Sequence, residues 1–432
     1  MAQRSVKPPP WKQFGWYVTL GVILYVIVGG IALATVPDQL LANWFPDLSS
    51  KERAAFLGPA TNAVLFALGG TIALVGVGLS LSRHRQELQA ADRDRIRLRD
   101  DQERERSRIQ EAAIERGTEA ERALRDRFVT TVNLLSDPSP VNRQAALFAL
   151  GALADDWDAF GKPDEVQVCI EVLTGYLRAP RSDDMLLPLS EEEHSQLEAS
   201  ERRDAQRTTP WEVSVKQAGY TVIRNHLKRE DAPDWSSRHL NLDDAHIDFE
   251  VDLRGGETTE SGRLSLQNVK IKGGGFVDLS SFSVRDRARL DLSGVKITNA
   301  TNERLTGVNL HNATIVDGGW VSFHSAEVGR GTVVFLDGVT VDGEGVLLLQ
   351  EASIRGLVGV RGVTVHTAGT VDLVYIEVGL SGVVDLQGTR ICPGGRISTK
   401  HARVIGSGIM DIGGVTIESG GSLVLPDGSE RT

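Results

Sequence analysis

Three hydrophobic patterns follow one another along the chain. The first is unbroken: FGWYVTLGVILYVIVGGIALATV (14–36) and ATNAVLFALGGTIALVGVGLSLS (60–82) each run 23 residues without a charge. About 20 apolar residues rising 1.5 Å each cross a hydrocarbon core of roughly 30 Å, so both are predicted to span a membrane. Two runs without a polar face argue against buried core helices, and the first is too long for a signal-peptide core. The second pattern has helical spacing and lies between residues 128 and 229. The third alternates, recurs at every thirteenth position and fills the chain from about residue 236.

Charge orients the two spans. Residues 1–13 hold Arg4, Lys7 and Lys12 and no acid; Arg83, Arg85, Arg93, Arg95, Arg97 and Arg99 follow the second span. In the connecting loop, 37–59, Lys51 and Arg53 are balanced by Asp38, Asp47 and Glu52. Basic flanks stay inside, so 14–82 reads as a multi-pass hairpin in the inner (cytoplasmic) membrane with both termini cytoplasmic. Trp11, Trp16 and Tyr17 suit the inner interface, Trp44 and Phe45 the outer one. The spans hold no Asp, Glu, Lys, Arg or His, such as an ion pathway would normally require, and the simplest reading is an anchor.

Residues 83–127 carry 13 Lys/Arg and 12 Asp/Glu. Alternating signs among strong helix formers predict a long solvated helix. Leu88, Leu98, Ile109 and Ala112 mark a weak coiled-coil seam, interrupted by Arg95, Gln102 and Glu105. The stalk is a route to homo-oligomers, as are the membrane helices. Residues 128–235 read as a small α-helical module. Val141, Ala145, Leu147, Phe148, Leu150 and Leu153 form one apolar face, and SDPSP (136–140) separates it from Phe128, Val132 and Leu135. A polar stretch, 179–210, reads as a flexible linker. A last helix, 211–229, is predicted to pack back through Val215, Ala218, Val222 and Leu227.

The periodic region follows the template G-x-Φ-x-Φ-x-x-Φ-x-Φ, with apolar residues at offsets 0, 2, 5 and 7. It fits twelve units, from Leu264/Leu266/Val269/Ile271 to Met410/Ile412/Val415/Ile417, and Leu423/Leu425 opens another. Starts are 13 apart except for an 18-residue step across NATNERLTG and an 11-residue step before Val358. Of the 45 glycines, 31 lie after residue 250, ten of them two residues before a start: 262, 275, 319, 345, 356, 369, 382, 395, 408 and 421. Glycine there suits positive φ or close backbone approach at a corner. Strands too short to stand alone, repeated in register, predict a β-solenoid over 236–432. Two units per coil, about 26 residues, give four short strands and eight inward side chains; six or so such coils form the rod.

The segment before the repeats resembles that of bacterial membrane-anchored pentapeptide-repeat proteins. The likeness rests on Arg127, Phe128, Leu134, Arg143, Ala149, Leu150, Leu153, Ala154, Asp156, Ile170, Glu171, Val172, Leu173, Tyr176, Leu177 and Arg178. Runs such as VDLSSFSV, LDLSGVKI and VDLQGTRI resemble the atypical repeats of that family, and 239–253 resembles an ordinary pentapeptide coil. The order of elements matches as well. The resemblance implies a fold class: an α + β multidomain membrane protein with a right-handed β-helix at its C-terminal end. It implies no shared reaction.

Candidate chemistry is sparse. Asp278, Asp291, Asp372, Asp385 and Asp411 share offset 1 and form a ladder of carboxylates, read as a solvated repeat feature rather than an acid–base pair. His311 and His324 share offset 3; with one unit per coil they would stack and could bind a metal, whereas with two, the favoured reading, they point to opposite sides. Arg143 reads as a helix-surface or capping residue. GGG (273–275) and GRG (329–331) lack the lysine and helix of a phosphate loop. Cys392 has no His/Asp partner, and with Cys169 so far away a disulfide scaffold is excluded. No catalytic, cofactor or metal residue is named, and no enzyme is expected. A net charge of −11 speaks against direct nucleic-acid binding. The expectation is a membrane-tethered scaffold whose partners are the bilayer and an unidentified protein. The alternatives are a regulated pore-forming or membrane-disrupting effector with a cytoplasmic sensor, and a DNA mimic of the kind some pentapeptide-repeat proteins are.

Overall fold

A computed structural model describes residues 11–47, 49–180, 182–191, 195, 202, 206–228, 233–298 and 304–432. Residues 1–10 and the side chains of Trp11 and Lys12, assigned above to the inner flank, lie outside the described residues. The chain divides into two compact units, 1–116 and 117–432.

The first unit holds α1 (Trp11–Trp44) and most of α2 (Ser50–Leu135), two helices long and apolar enough to cross a membrane. A capping box starts α2: the Ser49 hydroxyl and N–H both donate to Glu52 Oε2, at 2.7 and 3.1 Å. The non-helical link is therefore shorter than the 37–59 loop expected from charge, and Pro37 and Pro59 both lie inside helices. Each proline removes one internal hydrogen bond, but unwinding an apolar segment around it would expose many more backbone groups. The helices meet at Tyr25, whose hydroxyl donates to Leu68 O at 2.7 Å and lies against the Thr71 hydroxyl. Gly29 leaves room there for Leu68. Trp16, Tyr17, Trp44, Phe45 and most of the aliphatic side chains are exposed along these helices, as are Leu88, Leu98 and Ile109 farther down α2.

The second unit begins within α2, which runs unbroken past residues 82 and 127. Its last turns lie on the helical module through Glu121–Lys162 (3.5 Å), Arg125–Glu165 (3.1 Å) and Arg127–Asp156 (2.6 Å). The module is α3 (Pro140–Ala159), α4 (Pro163–Arg178) and α5 (Pro210–Leu227), each opening on proline where the missing N–H costs nothing. Glycines bring them close: a Cβ at Gly151 would stand 2.7 Å from Val222, and one at Gly219 2.8 Å from Leu177. Val215, Ala218, Val222 and Leu227 are buried against this core, as their spacing predicts. Val141 and Phe148 are not: they are 66% and 46% exposed, and Ala145 on the same predicted face is exposed as well. Leu147, Leu150, Ala154 and Trp157 take the buried stripe, and a residue one position off such a stripe is rotated about 100° from it. The ends of the linker are pinned together, Leu187 N–H to Arg207 O and Thr209 N–H to Met185 O, both at 2.8 Å. Most of the linker between them lies outside the described residues.

The solenoid opens with β1 (His239–Asn241), β2 (His246–Ile247), β3 (Glu250–Asp252) and β4 (Glu257–Thr258), one strand on each of four faces. These strands pair in parallel with their counterparts one coil on: Leu240 with Leu264, Ile247 with Ile271, Val251 with Val277, Thr258 with Val284. Two units therefore make one coil, and there are about seven coils, one more than the repeat count suggests. The extra one comes first. Leu240/Leu242/Ala245/Ile247 and Val251/Leu253/Gly256/Thr258 obey the same offsets. From Leu240 to Ile397 the inward hydrophobic side chains are at most 3% exposed. Each aliphatic side chain so buried contributes roughly 1.5–3 kcal/mol.

The corners explain the glycines. The residue at offset 4 has positive φ in unit after unit, through Asp244, Gly255, Asn268, Ser281, Gly294 and Asn312. The ten glycines before the starts do not; there the neighbouring coil is too close. A Cβ at Gly319 would sit 2.1 Å from Val284 O, and one at Gly275 2.2 Å from Ile247 O. Of the two reasons offered by the sequence, close approach is the operative one.

The helical module closes the first coil. Gln167 on α4 donates to His239 O at 2.8 Å, Tyr220 on α5 packs on Phe249, and buried Trp235 stacks on His226 with ring centroids 3.9 Å apart. One hydrophobic core passes from the helices into the rod. Covering an edge in this way protects strands that would otherwise template foreign ones.

Candidate functional site

The carboxylate ladder does not form as a single column. Asp278, Asp385 and Asp411 lie on the third face, that of β3; Asp291 and Asp372 lie on the first, that of β1. Consecutive units occupy alternate faces, so a column along the sequence becomes two interrupted ones in space. On the third face Asp252 neighbours Asp278, and Asp385 neighbours Asp411. Ser322 and Leu348 separate the two on the first face.

These acids are corner pieces. In Asp252, Asp278, Asp291, Asp372, Asp385 and Asp411 one oxygen accepts the N–H two residues on, at 2.8–3.1 Å. The other oxygen often reaches the adjoining coil: Asp291 accepts from Arg263, Asp372 from Gln350, Asp385 from Arg361 and Asp411 from Gln387. Asp291 and Asp385 are buried, so the solvated ladder expected from the sequence is corrected to a hydrogen-bonded frame. The side chain of Arg254 holds the Asp252 carboxyl well below the usual range, and the Gly413 N–H lowers that of Asp411. Carboxylates held ionised in this way are poor proton donors at neutral pH.

The sign of this effect can be measured. A carboxyl with a depressed folded-state pKa contributes stability that is present above its unfolded value of about 4 and is lost as pH falls through the folded value. Thermal unfolding of the full chain in detergent is expected at lower temperature as pH drops from about 4 toward 2. Asp252→Asn, which keeps the corner acceptor, is expected to flatten that dependence, and an unchanged slope would remove Asp252 from the account.

The remaining candidates are placed as follows. His311 follows the third face and His324 the first, on opposite sides of the coil. Gly273 and Gly274 turn a corner at positive φ, as does Gly331, while Gly275 marks a close approach. Burial pushes the Cys169 thiol up to about 12 and also raises that of Cys392, where Glu418 adds to the effect. Both cysteines are free. Among the described residues no cluster of His, Cys, Asp and Glu is arranged to hold a metal ion.

Arg143 is neither on the surface nor solely a cap. Its guanidinium is buried, paired with Glu212 at 2.7 Å and donating to the Tyr176 hydroxyl at 2.9 Å. It also donates to the carbonyls of Asp137 and Pro138, in the turn after α2, at 2.9 and 3.0 Å. Tyr176 completes the network by donating to Glu212 Oε1 at 2.9 Å. Burial and then the charge of Glu212 raise the Tyr176 hydroxyl well above its ordinary value. These contacts tie α2, α3, α4 and α5 together.

One feature of the outer surface is hidden in the linear repeat. At offset −1 the third face presents Glu250, Phe276, Gly307, Val333, Leu357, Val383 and Ile409 in direct register. Five of these outward positions are large and apolar. The same row on the first face reads His239, Arg263, Arg289, Trp320, Val346, Thr370 and Arg396. There Arg289 lies over the Trp320 ring at 5.7 Å. Two faces of one rod thus carry different chemistry. Compared with protein-family models, with curated proteins and with solved structures, the chain gives no match.

Proposed function

We propose that the chain is a membrane-tethered, non-catalytic scaffold that docks a protein partner along the third face of its solenoid. The observation that carries the reading is the row Phe276, Val333, Leu357, Val383 and Ile409, spaced by about 4.8 Å from strand to strand. Outward apolar side chains in register on a flat sheet are suited to a binding surface, because water gains by their covering. The acids beside them are committed to corner hydrogen bonds, which supports binding over chemistry. Gly307 interrupts the row, and Val333 leans into the space it leaves: a Cβ there would stand 2.7 Å from Val333 Cγ2. Val333 is buried in consequence; Ile409 is exposed, and Phe276, Leu357 and Val383 are half-buried.

The tether is the α1–α2 hairpin, placed in the cytoplasmic membrane with both termini inside. The Tyr25 and Thr71 hydroxyls turned onto each other and onto Leu68 O support an anchor over an aqueous pathway. The order of hairpin, charged helix, helical module and solenoid supports kinship with membrane-anchored pentapeptide-repeat proteins and a right-handed winding.

The test is chemical crosslinking in native membranes, recovery of the full chain and mass spectrometry of what is attached. A single dominant protein is expected with the natural chain, and recovery is expected to fall at least tenfold with Leu357→Arg, a change of about 1.4 kcal/mol or more. Leu357 points outward, so the substitution spares the core. Equal recovery with both proteins would overturn the docking face.

A further inference from the structure

Two irregular features of the rod meet on the first coils of the third face. One is α5, which packs beside β3: Gln217 donates to Glu250 O at 3.3 Å, and Arg224 pairs with Asp252. The other is the end of the 18-residue step in the repeat. It returns to the third face through Thr306, fully buried, whose hydroxyl accepts from the Gly274 N–H at 3.0 Å. Just before it the Arg304 stem lies over Gly274, its Cβ 3.1 Å from where a Cβ on that glycine would stand, and Leu305 is 58% exposed. A cavity of about 460 Å³ opens between this anchored segment and the outward residues Glu250 and Phe276. A second, of about 220 Å³, lies between Glu250 and α5. Glu250 therefore lines both. Its nearest acidic neighbours are engaged: Asp252 and Asp278 each accept a corner N–H, and Arg254 approaches them at 2.9 and 3.6 Å. Glu250 is exposed, and among the described residues its carboxylate joins no hydrogen bond or ion pair. Its charge reaches Arg254, but that guanidinium is already held by the two aspartates.

We propose that this double cavity is the selective end of the docking face and takes a lysine or arginine of the partner set beside a large apolar residue. The inference rests on the docking reading above and adds the chemistry of the partner. Charge argues for the cation. A lysine or arginine between α5 and Phe276 meets a carboxylate with no competing partner, and a charge-assisted hydrogen bond is the strongest contact such a surface offers. Residues 240–432 carry 17 Lys/Arg against 24 Asp/Glu, so the rod as a whole draws positive partners. Shape argues for the apolar neighbour. Glu250 and Phe276 are in direct register, one strand step apart, so a residue next to the cation covers Phe276 and Leu305. The larger cavity lies within the range of ordinary ligand pockets, about 300–1,000 Å³. The apolar row then continues the same line along the rod.

The test selects random eight-residue peptides, displayed on phage, against the full chain in lipid nanodiscs. Peptides that place lysine or arginine within two residues of a large apolar one are expected to be enriched at least tenfold. Glu250→Lys, an outward change at an exposed position, is expected to cut that class at least tenfold, and the nearly isosteric Glu250→Gln at least threefold. Glu377→Lys makes the same change at an exposed position of the second face and is expected to leave the class intact, which separates the cavity from the bulk charge of the rod. A selection without enrichment, apolar peptides lacking a cation, or cationic peptides equally retained by Glu250→Lys and Glu377→Lys would overturn the proposal. The wider docking reading is judged by Leu357→Arg in native membranes, so the two can fail independently.

Discussion

Gly319→Ala is expected to destabilise the solenoid by about 4 kcal/mol, among the largest effects of any single methyl group in this chain. The added Cβ would stand 2.1 Å from Val284 O and 2.9 Å from Val316 O, both backbone atoms. Neither can swing aside as a side-chain tip does; the two coils must separate, and the hydrogen bonds flanking the corner separate with them. Gly362→Ala is the matched control. Gly362 has φ +60° and nothing within 4 Å of its missing Cβ. The same offset holds Tyr375 and His401 at φ 59° in later coils. Its alanine is expected to cost only about 1 kcal/mol, the ordinary penalty of left-handed backbone. Urea unfolding followed by far-ultraviolet circular dichroism separates the two. Equal losses would mean that corner conformation, not proximity, selects glycine at position 319.

Arg143→Met is expected to cost roughly 3–5 kcal/mol, because it leaves the Glu212 carboxylate buried without its cation. Glu212 is 1% exposed, and its carboxylate would keep the hydrogen bond from the Tyr176 hydroxyl. The double variant Arg143→Met/Glu212→Leu is expected to regain most of that loss, since two apolar side chains fill the space without an orphaned charge. A double-mutant cycle reads the coupling directly. Additive losses would show that packing of the arginine stem, rather than the ion pair, is what the module uses.

How much of this is legible beforehand follows from what a linear pattern can encode. Offsets 0, 2, 5 and 7 name the inward residues, because alternation along a strand survives folding unchanged. The apolar spans are legible for the same reason, a local property read locally. The second half of the first coil departs from the template, because Gly256 and Thr258 stand where aliphatic residues stand elsewhere. The carboxylates mislead because the sequence repeats with every unit while the structure repeats with every second one. Asp278 and Asp291 look like neighbours and lie on opposite faces. The apolar row of the third face is obscured for the same reason, its members interleaved with Arg263, Arg289 and Arg396. Arg143 is out of reach: nothing near it in sequence announces Glu212, which arrives from a helix beyond the linker. That α4 and α5 plug the rod is likewise beyond a pattern that shows an apolar stripe and not what it meets.

Coils of unequal length stack side by side in this rod. The turn from Leu240 to Leu264, like that from Leu347 to Val371, is shorter than the one from Leu264 to Leu290, and the one from Leu290 to Val321 is longer still. All of the variation falls at a single edge of the prism, between the second face and the third. Steps from the third face back to the first keep one length throughout. This edge is a seam at which peptide can be added or trimmed while every ladder stays in phase. A loop shuffled in at the corner after Val328 would ride outside the rod, leaving its winding untouched.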